Sequence, residues 1–374
     1  AKRLGARVLT TDNRPNNPGH KLAHASFGVD TTDADAVLEL ARAQAIDGII
    51  SACTDVAVPT AAHVGEQLGL PGIPLAAAYT CTDKLQFRRF LDAAGLPNPP
   101  WAEVGDGHPE PTDLLQGGPC VLKPATSSGS KGIFVVDGVE DFRARLPATM
   151  AFCRDGRAII ELFLDGKQGT VEGILQGGRI AWGMVTQRQT APLPYTATWG
   201  HVVPSGLATP VIEGLRDVTE RLFEALGIHD GPFDCDFVIA DGIAHVLEMS
   251  PRLGGNALSA LARVSAGIDL PHYAVQQALG LPFEVQATEI SPAAAVLLGA
   301  ESAGVLAYDT EAAAQFAALP WVHSVKLDRQ PGERVEPFIN GRHRVAALLI
   351  TASDPEELRI RSAQLKVRLN IHTT

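Results

Sequence analysis

The sequence predicts a protein of mixed α/β and α+β class: a doubly wound parallel α/β domain followed by α+β lobes. Three observations point there. Short apolar runs alternate with helix-period segments over the first 95 residues, a proline-rich break, "LPNPPW", follows at 96–101, and beyond it strands succeed one another with short turns between them. With 374 residues, 45% of them hydrophobic, the chain is long enough for two or three domains. We expect these at 1–95, 96–289 and 290–374.

In the first domain "RVLTTD" and "DGIISAC" read as parallel strands, and "DADAVLELARAQ" and "DVAVPTAAHVGEQLG" as amphipathic helices. The opening, "AKRLGARVLTTD", begins on a helix end and a Gly stop, so a first strand and its glycine turn are expected to be missing. Asp12 ends a strand with no G-x-G-x-x-G turn near it, and reads as a loop acid rather than a ribose ligand. Next come a helix ("TDKLQFRRFLDAAG"), the strand "CVLKPA", the loop "TSSGSKG", the strand "IFVV" and the helix "EDFRARLPATMAF". The strands "AIIELFL", "TVEGILQ" and "RIAWGMVTQ" follow. Residues 187–209 show no clear periodicity, and structureless chain of that length inside a domain is usually functional. A helix near 211–226 stops at Gly227, and 257–280 reads as helical. The strands "AAAVLLG" and "RVAALLIT" with the helix "DPEELRIRSAQLKVRL" suggest a small C-terminal α+β lobe.

The 42 acidic against 31 basic residues give a formal charge of −11, which argues against a nucleic-acid or anionic-membrane surface. The longest apolar runs are too short to span a bilayer. Five scattered cysteines without C-x-x-C spacing read as free thiols, and the cytoplasm as the compartment.

The densest chemistry lies in "FDCDFVIADGIAHVLEMSPRLGGN" (233–256). Phe233, Cys235, Phe237 and Ile239 form one face of the first strand, and Ile243, Leu247 and Met249 the apolar set of the return strand. A two-residue Asp-Gly turn would set Asp236 opposite Leu247. We therefore expect a three-residue loop, 240–242, which keeps apolar against apolar and puts Asp234, Asp236 and Glu248 on one face. That face is either solvated or holds a cation, because adjacent buried carboxylates are costly. Oxygen-only ligands select magnesium or manganese. His245 falls on the apolar parity and reads as a packed core histidine.

Upstream, Lys123 ends a strand before a loop of glycines and hydroxyls. Its N–H groups, with Ser127, Ser128 and Ser130, suit phosphate oxygens, although it is not a Walker A loop and a flexible surface hairpin fits about as well. The order is more informative than any piece: Lys84, Lys123 with its loop, "ELFL", the acidic hairpin, then Arg252.

In that order the chain resembles the ATP-grasp superfamily, which includes biotin carboxylase and D-alanine–D-alanine ligase, and most of all its carboxylate–amine ligases of amino acids. The resemblance runs over nearly the whole chain and implies an ATP-grasp domain of two α+β lobes at 96–289. It implies that Lys84 and Lys123 bind phosphate and that 126–132, with Ser127, Ser128, Gly129, Ser130 and Gly132, is a glycine-rich lid. Glu161 and the backbone of Leu162, Phe163 and Leu164 would form the adenine hinge, with Gln168 at the ribose position. Asp236 and Glu248 match the metal-bridging acids, with Ser250 where the family usually has Asn, and Arg252 matches the arginine beside an acyl phosphate. His201, Ser205, Gly254, Gly255 and Asn256 match acceptor-side segments. The expected activity is ATP-dependent ligation of a small carboxylic acid to an amine, with ATP and Mg2+ or Mn2+ as cofactors and a homodimer as a compatible assembly. The rivals are bicarbonate or purine-pathway carboxylation on the same nucleotide half, and a non-catalytic ATP-binding protein.

Overall fold

The computed structural model describes residues 1–105, 107–153, 155–286 and 288–374. In the first domain β1 (Leu9–Thr11), α1 (Pro18–Leu22) and β2 (Ala25–Phe27) make a short parallel pair. α2 (Ala34–Gln44) packs on α3 (Val58–Leu68) through Val37, Leu38, Ala41 and Val64. Asp33 caps α2 by accepting from the Ala36 N–H, and Gly69 closes α3 in the left-handed conformation that glycine adopts without strain. The expected strand "DGIISAC" is a loop. Its backbone turns to the second domain, where the Ala52 carbonyl accepts from the Leu253 N–H at 3.1 Å.

α4 (Leu75–Thr82) and α5 (Lys84–Ala93) lead up to the proposed boundary, with Asp83 capping α5 through the N–H groups of Leu85 and Gln86. β3 (Trp101–Gly105), α6 (Thr112–Gln116), β4 (Cys120–Pro124), β5 (Phe134–Val136), α7 (Gly138–Met150) and β6 (Arg157–Leu162) follow. Their strands form a sheet in the order β3-β6-β4-β5, backed by the two helices.

Then come β7 (Lys167–Gln176), β8 (Arg179–Thr190), β9 (Thr198–Val203), α8 (Thr209–Leu226), β10 (Gly231–Ala240), β11 (Ile243–Ser250), α9 (Leu258–Ala266) and α10 (Leu270–Ala278). The stretch 187–209, which shows no period, thus contains β9. It lies inside the sheet between β8 and β12, and a strand covered on both faces need not alternate. The chain ends with β12 (Ala293–Leu298), β13 (Gly304–Ala307), α11 (Thr310–Phe316), β14 (Val322–Leu327), β15 (Arg334–Val335), β16 (Ala346–Thr351), α12 (Pro355–Leu369) and β17 (His372–Thr373). β12 pairs with β9, so an eight-stranded sheet, β11-β10-β7-β8-β9-β12-β16-β14, runs straight past residue 290. Among the described residues no helix is long and apolar enough to cross a membrane.

The acidic hairpin puts Asp236 and Glu248 on one face, as expected, but by another route and in another register. Ala240 pairs with Ile243, so the loop has two residues, Asp241 and Gly242, with φ of 50° and 76°. Positive φ at both marks the turn that suits the strands' right-handed twist. A bulge at Leu247 then restores the parity, and Asp236 faces Glu248. Consequently Ala244, Val246 and Met249, not Ile243 and Leu247, join Phe233, Cys235 and Phe237 in the core beneath α8. There Phe223 meets Phe233 edge-to-face at 4.8 Å. His245 pairs with Val238, on the face away from that core. Gly242→Ala should lower the unfolding free energy by about 1–2 kcal/mol, the cost of a side chain in the left-handed region. Denaturant titration against Asp241→Asn, which tolerates that region, checks it.

Candidate active site

Side chains opposite one another on neighbouring strands share a face. The register therefore sets Glu248, Asp236, Thr170 and Thr186 in one row across β11, β10, β7 and β8. Two residues along, Ser250, Asp234 and Glu172 make a second row. Glu248, Asp236 and Thr170 of the first row and Ser250 and Asp234 of the second line a cleft of about 360 Å3 that also takes in Lys123, Glu161 and the loop after β4.

One end of the cleft is cationic. Lys84, on the first turn of α5, donates to the Ser127 carbonyl at 2.8 Å and lies 3.5 Å from Glu248. Lys123 pairs with Glu161, which also accepts from Arg88. Arg88 is 1% exposed and gives its remaining donors to the Val246 and Leu247 carbonyls, at 3.0 and 3.1 Å. Burial, with Arg88 and Lys84 close by, holds the Lys123 ammonium well below its ordinary pKa. An arriving polyanion would relieve that crowding.

The hinge is partly committed to the fold. The Leu162 N–H donates to the Pro100 carbonyl and the Phe163 N–H to the Pro119 carbonyl, each at 2.9 Å. A purine edge would therefore need the N–H of Leu164. Leu162, Phe163, Leu164 and Gln168 all line the cleft, as do Ser127, Ser128, Gly129 and Ser130. Gly132 does not. Its φ is +70° and an added Cβ would press on Phe152 and Pro124, so its role is local.

The opposite end is acidic. The Arg252 guanidinium bonds Asp55 (Nε at 2.9 Å, Nη2 at 2.6 Å) and Asp234 (3.0 Å). Burial alone would lower its pKa, but Asp234 and Asp55 hold it above the ordinary value. Glu172 is fully buried and accepts from the Gly254 N–H at 2.8 Å and from Ser259 at 3.2 Å. Burial and then Asp234 push its carboxyl well up. A Cβ on Gly254 would strike the Asp234 and Glu172 carboxylates, so glycine is required there. Gly255 and Asn256 line the cleft, whereas Ser205 lies outside it and accepts from the Leu207 N–H at 3.4 Å.

Between the ends, Asp236 accepts from Thr170 at 2.5 Å and from Arg188 at 3.1 Å. His201 shares a hydrogen bond with Thr186 at 3.0 Å, and burial pulls its imidazole down to about 4, so it is neutral. Ser250 donates to Asp55 at 2.9 Å, away from the metal role expected of it. Asp55, Glu172 and Arg188 escaped the sequence reading. Asp55 comes from the first domain, Glu172 sits in an apolar strand, and Arg188 opens the stretch without periodicity.

Among the described residues no three His, Cys, Asp or Glu side chains are gathered to hold a metal unaided. Asp236 and Glu248, directly opposed hard oxygen donors, still fit magnesium, which keeps water and phosphate oxygens in its shell.

This layout coincides with an ATP-grasp domain. Residues 116–260 match the ATP-grasp domain and 297–374 the L-amino acid ligase C-terminal domain 2. The chain is 29% identical over 379 residues to a formate-dependent phosphoribosylglycinamide formyltransferase of Paraburkholderia xenovorans (strain LB400), covering 97% of this chain and 89% of that protein. Among solved structures it is similar to an L-amino acid ligase from Bacillus licheniformis (TM-score 0.84, 20% identity, 100% and 93% of the two chains). It also resembles the biotin carboxylase domain of the Hydrogenobacter thermophilus 2-oxoglutarate carboxylase, solved with MgADP, ADP and bicarbonate (TM-score 0.71, 16% identity, 99% and 86%). At these identities the two structures speak for the fold alone.

Two outcomes follow from this geometry. Arg88→Leu leaves Glu161 with Lys123 as its remaining buried partner and the Val246 and Leu247 carbonyls without their donor, and should cost about 3–5 kcal/mol in denaturant unfolding. His201 is neutral in the fold, while the unfolded imidazole titrates near 6.5. Its contribution is thus complete above pH 6.5 and is lost as pH falls through the window down to about 4. His201→Gln should remove up to about 3 kcal/mol of that acid-side loss, read as a flatter pH dependence of unfolding.

Proposed function

We propose that this protein is an ATP-dependent ligase that activates a small carboxylic acid as its acyl phosphate and joins it to an amine. The observation that carries the reading is the sequence of charge along one cleft: Lys84 and Lys123, then Asp236 and Glu248, then Arg252. The lysines would neutralise the triphosphate, and Leu164 and Gln168 would orient the nucleoside. Asp236 and Glu248 would hold magnesium, whose chemistry is to neutralise and align the phosphates. The substrate carboxylate attacks the terminal phosphorus, and ADP leaves. The amine then attacks the acyl carbon and phosphate departs, while Arg252 balances the negative charge on the acyl oxygens. Held by Asp55 and Asp234, the guanidinium is already oriented.

An amino acid is the acceptor favoured here. Asp55, Asp234 and Glu172 surround a single Arg252, a setting that suits an ammonium group and opposes a phosphorylated amine. Likeness to the formate-using relative supports a second reading, formate with a phosphate-bearing amine. ADP release measured across pairs of amino acids, and across formate with a phosphorylated glycinamide, separates them.

Lys123→Ala and Glu248→Gln should each abolish ADP formation and leave the fold intact by circular dichroism. Near-normal turnover in either variant would remove that residue from the site. Residues 126–132 should gain hydrogen-exchange protection with ATP and magnesium, since the Ser127 and Ser130 hydroxyls are held by long contacts of 3.4 Å. Equal protection with and without nucleotide would count against a lid.

A further inference from the structure

Arg188 is a largely buried cation that the reaction outlined above does not use. It projects from β8 with a side chain 11% exposed, and it is held at three points. Its Nε donates to Thr198 Oγ1 at 2.9 Å, one Nη to the Thr196 carbonyl at 3.0 Å, and the other to Asp236 Oδ2 at 3.1 Å. The Thr196 carbonyl also accepts from Ser130 of the lid, at 3.4 Å. The guanidinium thus stands between the lid and the acid row, and its charge is felt at Lys123.

Among the described residues Asp236 is its only carboxylate partner, and the proposed reaction gives that carboxylate to magnesium. With the metal on Asp236, Arg188 would be left buried beside a dication with its charge uncompensated, which is costly unless an anion comes with the metal. A nucleoside triphosphate brings one. Two of the three anchors, Thr198 and Thr196, do not depend on Asp236, so the guanidinium keeps its place while one N–H pair is freed.

We propose that Arg188 binds the terminal phosphate of the nucleotide, and that it yields Asp236 to the metal as the metal–triphosphate enters. This rests on the nucleotide reading of the cleft. Arg188 is then the counter-ion of the metal-binding acid in one arrangement and a phosphate ligand in the next. A planar fork serves both, since carboxylate and phosphate present the same pair of oxygens.

Calorimetric titration of ATP and of ADP in EDTA, with Arg188→Gln beside the native chain, tests the phosphate contact without turnover. The variant should bind ATP about tenfold more weakly, as expected for one lost charge-assisted contact, with ADP affinity within about twofold. Electron paramagnetic resonance of free Mn2+, without nucleotide, tests the other half: the variant should bind Mn2+ several-fold tighter, because Asp236 has lost its competitor. Arg188→Lys, which keeps the charge, should retain part of the preference for ATP and guards against a folding defect in the glutamine variant. An equal loss of ATP and ADP, or unchanged Mn2+ affinity, overturns the proposal and leaves the nucleotide reading standing. If the native chain binds neither nucleotide, both fall.

Discussion

The Arg88 guanidinium donates to Glu161 and to the carbonyls of Val246 and Leu247, and so joins α5, β6 and the bulge of β11. Each of these elements carries part of the site. Lys84 lies one helical turn before Arg88, the hinge follows Glu161, and Glu248 follows the bulged residue. The bulge turns Leu247 and Glu248 both toward the cleft, and its carbonyls need a donor that the regular ladder no longer supplies. Arg88 is that donor. Burial pulls its pKa down only to about 10, so it keeps its charge at neutral pH. The 3.5 Å between Lys84 and Glu248 follows from this single anchor.

With that anchor in place the cleft is polarised along its length. Lys84, Arg88, Lys123 and Arg188 outnumber Glu161, Asp236 and Glu248 at the nucleotide end. Asp55, Asp234 and Glu172 outnumber Arg252 at the other. In the proposed reaction a triphosphate would be drawn to the first end and an ammonium group to the second, and the two would meet over the row of Asp236 and Glu248. The arrangement makes chemical sense for a ligase, which must hold a polyanion and an amine apart until an acyl phosphate lies between them.

Much of this was legible in the sequence, and the exceptions have physical causes. That Asp236 and Glu248 share a face was reached through apolar parity, which a three-residue loop and a two-residue turn with a bulge satisfy equally, although only the second sets the two acids opposite one another. Parity cannot tell them apart. The Asp241-Gly242 pair was the better local signal, because it suits positive φ at both positions. Arg88 was invisible because "KLQFRRFL" presents two adjacent arginines, one bound for the interior and one, Arg89, for a surface pair with Glu103. Lys84, Leu85, Arg88 and Leu91 share one helical stripe, which was the available clue. β9 was missed because a doubly covered strand has no alternation to find.

Asp55 was beyond any local reading, and it shows how the first domain enters the chemistry. It accepts from Ser250 and from Arg252, while Ala52 three residues earlier holds the Leu253 N–H. The turn from Ser250 to Leu253 is therefore shaped from outside the sheet that carries it. This accounts for Ser250 in place of a longer metal-directed side chain: its hydroxyl is spent on fixing Asp55, which in turn fixes Arg252. The lysine-bearing end, proposed for the nucleotide, is assembled within 84–250, so its geometry can stay constant while the acidic end, proposed for the acceptor, changes with the loop at 51–55. On the proposed reaction, specificity for the amine would depend on how the loop at 51–55 is seated, and the ion pair between Asp55 and Arg252 would couple that seating to the guanidinium proposed to steady the acyl phosphate.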